Sequence, residues 1–142
     1  MEFNDKVVIV TGGGGGIGGA TCRRFAGAGA KVAVLDLNEA SARATVDKIG
    51  AAGGIAQAFQ CDITNRDQVA AAVDGVVNAF GTVDVLINNA GWDVFKLFVK
   101  TEPAEWDKLI AINLVGALNM HHAVLPIMME RRAGRSVNIA SD

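Results

Sequence analysis

The 142-residue sequence contains no tyrosine, only two cysteines and two prolines, and no marked excess of charge of either sign. Each absence excludes something. Without tyrosine, no phenol in this stretch can act as a general acid or base. Cys22 and Cys61 lie far apart with no CxxC spacing, which fits two buried free thiols in a reducing compartment. A net charge of -2 with 20% charged residues gives no electrostatic case for nucleic acid or an anionic membrane as partner. The opening Met1-Glu2-Phe3-Asn4-Asp5-Lys6 is polar and acidic, unlike a secretory leader. No run of consecutive residues reaches the roughly 20 apolar positions of a bilayer span. The expectation is a soluble, cytoplasmic chain with neither a nucleic-acid nor a membrane partner.

What is abundant is apolar: 51% of residues are hydrophobic and 17 are glycine. That balance suits a sheet buried on both faces, whose strands read as continuous apolar runs. Such runs alternate with helical patterns along the chain. Lys6–Thr11, Lys31–Asp36, Ile55–Gln60, Val83–Asn88 and Arg135–Ala140 read as strands. Helices are predicted from about Ile17 to Ala28, after Asn38 as N-cap with Ala42, Val46 and Ile49 on one face, and after Thr64 with Asp67 completing an approximate capping box. The stripe of that third helix is Val69, Val73, Val76 and Phe80. Thr101 and Pro103 open a long helix to about Arg131, with a kink expected at Pro126. Its apolar stripe Ile110, Leu114, Ala117 and Leu118 predicts a largely buried face. Strand and helix alternate with short connections, so the economical topology is α/β, a doubly wound parallel sheet in a single domain over residues 1–142.

The run Thr11-Gly12-Gly13-Gly14-Gly15-Gly16-Ile17-Gly18-Gly19 joins the first strand to the first helix. In that position a loop can aim backbone N–H groups and a helix N-terminus at a diphosphate, and side chains would obstruct the approach. So many glycines match GxGxxG in several registers, and a flexible loop is the plain alternative. Asp36 closes the second strand about 20 residues further on, where a carboxylate accepts hydrogen bonds from an adenosine ribose. The next residue, Leu37, offers no cation for a 2′-phosphate, so NAD is expected over NADP. Asp36 as a simple turn cap stays open. His121 and His122, adjacent on a helix, point about 100° apart, and no third ligand accompanies them, so no metal site is expected.

Several of these residues together resemble the short-chain dehydrogenase/reductase family, whose sheet is a Rossmann fold. Thr11, Gly12, Gly16 and Gly18 fit its TGxxxGxG loop. Cys61-Asp62-Ile63 is similar to its adenine-contacting segment, and Asn88-Asn89-Ala90-Gly91 to its NNAG element. Asn113 matches its active-site asparagine, and Ser141, after Val137-Asn138-Ile139-Ala140, its catalytic serine. The resemblance implies NAD held by Thr11, Gly12, Gly16, Ile17, Gly18, Asp36, Leu37, Asp62, Ile63, Asn89, Ala90 and Gly91. It implies Asn113 and Ser141 as catalytic residues in the oxidation of a secondary alcohol to a ketone. Two alternatives remain beside it: Asn88 and Asn89 as braces of the fourth strand, and Asn113 as a buried amide satisfied within the core.

Within that family the segments Gly91–Lys96, Met120–Pro126, Glu130–Arg132 and Ile139–Asp142 are similar to the 2-hydroxycyclohexanecarboxyl-CoA dehydrogenases. The expected substrate is therefore a small molecule, in the narrowest form a cyclic 2-hydroxyacyl-CoA. Trp92 and Phe95 either line an acyl pocket or pack as ordinary aromatics. The resemblance also places a general-base tyrosine and a following lysine a short way past Ser141. These 142 residues would then carry five of seven strands and lack turnover alone. A homo-oligomer is expected from the open sheet edge and the exposed helix face. A non-catalytic NAD-binding module or sensor is the competing reading, against which Asn113 and Ser141 weigh.

Overall fold

A computed structural model describes residues 2–140. Five strands form one parallel sheet in the order β3-β2-β1-β4-β5. They are β1 (Val7–Thr11), β2 (Lys31–Asp36), β3 (Ile55–Gln60), β4 (Val85–Asn88) and β5 (Arg135–Asn138). The α-helices are α1 (Gly16–Gly27), α2 (Glu39–Ala51), α3 (Arg66–Phe80), α4 (Pro103–Ile110) and α5 (Gly116–Glu130). A π-helical turn, Ala111–Val115, joins α4 to α5.

The sheet is buried on both faces, and residue parity decides which side chain goes where. On one face Val7, Ile9, Ala33, Leu35 and Leu86 pack with Val69, Val73 and Val76 of α3 and Met120, Val124 and Met128 of α5. On the other, Val8, Val10, Val32, Val34, Val85 and Ile87 pack with Cys22 and Ala26 of α1 and Ala42 and Ile49 of α2. Fully burying one such side chain is worth about 1.5–3 kcal/mol, so the two clusters supply most of the driving force. The order reverses between β1 and β4: β2 and β3 lie on one side of β1, β4 and β5 on the other. A crevice opens at the carboxyl ends of the strands at such a switch point.

Four local expectations change. The N-cap of α3 is Asn65, whose Oδ1 accepts from the N–H groups of Asp67 and Gln68. Thr64, one residue earlier, turns its hydroxyl to Asp62 Oδ1 at 2.7 Å instead. The strand expected from Val83 starts at Val85, since Asp84 spends its side chain on the backbone N–H of Val7. The long helix passes through Pro126 to Glu130, and its departure from α geometry falls at Ala111–Val115.

The fourth change concerns which face of that helix is covered. Ile110, Leu114 and Leu118 are 53%, 55% and 56% exposed, while Met120, Val124 and Met128 meet the sheet. The helix is apolar nearly all round, so periodicity alone could not select the inner face. By length and composition the helical stretch Pro103–Glu130 would also suffice to cross a membrane. Counting uninterrupted apolar runs missed this because Asn and His residues punctuate the stretch.

Candidate functional site

At the switch point lies a cavity of about 450 Å³, lined by residues from the ends of four strands. Gly12 and Gly15 come from the loop after β1, and Leu35, Asp36 and Leu37 from the end of β2. Cys61, Asp62 and Ile63 follow β3, Asn89 to Trp92 follow β4, and Lys108 and Ile112 descend from α4 and the π-helical turn. The walls are apolar at Leu35, Ile63, Ala90 and Ile112, with polar groups converging from the loops. That combination suits a ligand with a flat apolar ring and a polar linker.

The glycine run divides into packed and open positions. Gly12 has φ +63°. A Cβ on Gly18 would stand 2.1 Å from the Gly12 carbonyl oxygen and 2.5 Å from Asn89 Nδ2. Gly18 is therefore what lets α1 start against the end of β1. Gly15 and Gly16 instead meet nothing within 4 Å of an added Cβ. They leave backbone exposed at the N-terminus of α1, a helix with no side-chain cap, where N–H groups stand available for an anion. A dinucleotide's diphosphate fits this cradle. Ile17 is exposed beside it.

Asp36 is tied into the same loop. Its Oδ2 accepts from the Gly14 N–H and its Oδ1 from the Asn38 N–H, both at 2.9 Å. The turn-cap reading is thus correct for part of its bonding, and each oxygen keeps a further lone pair toward the cavity. Leu37 is exposed next to it. Asp62 Oδ1 accepts from Thr64 N–H and Oγ–H, and its own N–H donates to Gln68 Oε1.

Thr11 and Asn89 lock β1 to β4. Thr11 Oγ1 accepts from the N–H groups of Asn89 and Ala90 at 3.0 Å each. Asn89 Nδ2 donates to the carbonyls of Thr11 and Gly12. Thr11 is buried beneath the cavity and does not line it. Asn88 donates through Nδ2 to Asn138 Oδ1 at 3.0 Å, joining β4 to β5, and its own Oδ1 is buried without a partner among the described residues. The bracing reading of the asparagine pair therefore describes their contacts.

Asn113 is exposed, in contrast to the expectation of a largely buried face, because its side of the helix turns outward. Its side chain closes a two-way contact with the backbone of Trp92. Trp92 lines the cavity, whereas Phe95 is fully exposed and does not. Over the Trp92 ring stands Lys108 Nζ, 4.1 Å from the ring centroid. Ser141 lies outside the described residues. Cys61 lines the cavity as part of the Cys61-Asp62-Ile63 segment singled out in the sequence, whereas Gly15, Leu35, Lys108 and Ile112 were not picked out there as site residues. Lys108 and Ile112 are one turn apart on a helix that follows the Asn-rich segment, and that spacing was the signal available for them.

Burial raises the Cys61 thiol to about 11, with Asp62 adding to the effect. A thiol so placed is a lining group and no nucleophile at neutral pH.

A family model described as short chain dehydrogenase matches residues 6–142. The chain is 38% identical over 141 residues to (2S)-[(R)-hydroxy(phenyl)methyl]succinyl-CoA dehydrogenase subunit BbsD of Thauera aromatica, covering 99% of this chain and 57% of that protein. It superposes on a crystal structure of NAD+-bound xylitol dehydrogenase with a TM-score of 0.96 and 37% identity, over 99% of this chain and 55% of the other. A metagenomic short-chain oxidoreductase in complex with NADP gives a TM-score of 0.94 at 38% identity, over 100% of this chain and 65% of that one. The chain spans about half the length of the curated relatives it matches.

Proposed function

The chain belongs to the short chain dehydrogenase family, and on that premise we propose that it is the dinucleotide-binding part of an NAD-dependent oxidoreductase acting on a secondary alcohol. The observation that carries this reading is the placement of Asp36. Its carboxylate closes the cavity beside the open Gly15–Gly16 cradle, and neither Gly15 nor Leu37 brings a cation. A 2′-phosphate there would face a like charge, whereas two ribose hydroxyls would find an acceptor. The known structures similar to it include one with NAD+ and one with NADP, so the preference for NAD rests on Asp36 and Leu37.

When bound, the nicotinamide would accept hydride from the alcohol carbon. The residues of this chain do the binding and orienting. Gly15, Gly16 and the start of α1 would hold the diphosphate; Leu35, Leu37, Ile63 and Ile112 would flank the adenine, with Asp62 at its polar edge. Thr11 and Asn89 keep the two strand ends at fixed separation. Asn113 sets the backbone of Trp92 at the cavity wall, and Ser141 would donate to the substrate oxygen, stabilising charge that develops there. A tyrosine base is not among these 142 residues.

For the substrate we take a 2-hydroxyacyl-CoA with a ring, supported by the similarity to a CoA-thioester dehydrogenase and by Trp92 at the cavity wall. The exposed stripe Ile110, Leu114, Leu118 and Met129 is the face proposed to meet a second copy of the chain. Titrating the protein with NADH and NADPH while following quenching of its tryptophan fluorescence tests the cofactor reading. NADH is expected to bind at least about tenfold more tightly, the cost of one unfavourable charge contact. Equal or tighter binding of NADPH overturns the preference, and no binding of either overturns the reading itself.

A further inference from the structure

Among the described residues that line the cavity, Lys108 is the only cation, and Asp36 and Asp62 line it as well. Its ammonium is neither loose nor paired. It rests 4.1 Å from the centroid of the Trp92 ring, and among the described residues no carboxylate lies within ion-pair distance of it, although Lys6, Lys31 and Lys96 each have one. The nearby acid on its own helix, Glu105, is taken by Lys96. A cation held on an aromatic face keeps its charge and loses part of its side-chain freedom in advance.

The backbone that carries that ring is itself fixed. Trp92 is gripped at both its N–H and its carbonyl by Asn113, so the platform beneath Lys108 is set by the π-helical turn. Lys108 and Ile112, one turn apart, enter the same cavity, with Ile112 among its apolar walls and Lys108 nearer the start of α4. The result is a positioned positive charge, without a counter-ion among the described residues, in the cavity that Gly15 of the glycine loop also lines.

We infer that Lys108, seated on Trp92, is a phosphate-holding residue of the cavity that the glycine loop also lines. This deepens the cofactor reading and rests on it. The chemistry required is a phosphoryl group attached to an adenine nucleotide, which either the cofactor's diphosphate or the phosphates of a CoA-thioester substrate supply. A point charge of this kind binds phosphate without demanding one geometry.

The test compares wild type with Lys108→Gln, Lys108→Arg and Trp92→Leu by calorimetry against adenosine, ADP-ribose, NADH and coenzyme A. Lys108 is exposed, so its variants should fold as the parent does, which thermal melting checks. Lys108→Gln is expected to weaken ADP-ribose and NADH, or coenzyme A, by about tenfold at low salt. It should leave adenosine unchanged, and the loss should shrink as salt is raised. Lys108→Arg should restore most of the affinity, and Trp92→Leu should lose part of it. Loss for ADP-ribose and NADH identifies the cofactor as the source of the phosphate; loss for coenzyme A alone identifies the substrate. Equal affinity of wild type and Lys108→Gln for all three phosphate ligands overturns the inference while the cofactor reading stands. If wild type binds neither adenosine nor NADH, the cofactor reading falls and the inference with it.

Discussion

Asn113 and Trp92 exchange two hydrogen bonds: Asn113 Oδ1 accepts from the Trp92 N–H and Asn113 Nδ2 donates to the Trp92 carbonyl, both at 2.8 Å. The amide copies the pattern of a backbone bridge, and it does so from a π-helical turn, where the widened helix places one side chain out of the regular register. A side chain that would lie along the α surface is thereby turned to the loop after β4. The contact couples two elements that line the cavity from different directions.

Replacing Asn113 by alanine removes both bonds from an exposed pair and should cost about 1–2 kcal/mol of stability. Hydrogen exchange at the Trp92 amide should quicken by about tenfold or more. Asn113→Asp is expected to be no better, because a carboxylate oxygen would replace the donor facing the Trp92 carbonyl. An unchanged Trp92 exchange rate in Asn113→Ala would show that the bridge does not hold the loop.

The glycine run predicts a contrast between two single substitutions. Gly18→Ala puts a methyl group 2.1 Å from the Gly12 carbonyl oxygen, a collision with backbone that the loop can relieve only by moving α1. Its cost should exceed about 2–3 kcal/mol. Gly15→Ala meets nothing within 4 Å, and its extended φ of -171° is open to any residue. It should unfold at the midpoint of wild type within about 0.5 kcal/mol yet bind NADH less well, since the new methyl group stands in the cradle. Chemical denaturation beside a NADH titration separates the two effects.

How far the sequence carried can be judged at particular residues. β1 and β2 were legible because Val7 to Val10 and Val32 to Leu35 are buried on both faces, which produces an unbroken apolar run. Asp36 and the glycines were legible because chain position alone puts them at the same sheet end. Asn65 rather than Thr64 caps α3, its Oδ1 accepting from Asp67 and Gln68 N–H while the threonine hydroxyl turns to Asp62. The exposed stripe of α5 and the Lys108–Trp92 contact were hidden as well. Apolar periodicity says that a face exists but not which neighbour covers it. A lysine in a helix, meanwhile, reads as a solvated surface until the fold brings a ring beneath it.

Acid stability should depend on Asp84. Burial alone would raise its carboxyl, but the Val7 N–H and the Arg131 guanidinium donate to it, and the charges of Arg131 and Lys6 add to them, so it is held below its ordinary value of 3.8. With the folded value below the unfolded one, the folded state binds fewer protons. The stabilisation is complete above the ordinary carboxylate range and is lost as pH falls through the depressed folded value. Asp84→Asn should be less stable than wild type at pH 7 by about 1–3 kcal/mol, with an amide in place of the charged acceptor. The difference should shrink steadily below pH 4. A gap that stays constant from pH 7 to pH 2.5 in urea denaturation would contradict this account.

The two cysteines give a final check on the core. Cys22 packs between α1 and the sheet face formed by Val8, Val10, Val32 and Val34, and burial pushes its thiol up to about 12, with Asp36 adding to the rise and Arg23 opposing it. Cys61, at the cavity wall, stands at about 11. The attacking species in alkylation is the thiolate, and at pH 8 neither site holds more than a trace of it. Both thiols should therefore resist iodoacetamide in the native protein and react together on global unfolding, at a rate set by the opening equilibrium. If Cys61 reacts first and NADH slows it, the wall of the cavity opens locally without the rest of the sheet. If Cys22 reacts before Cys61, α1 does not cover the sheet as described.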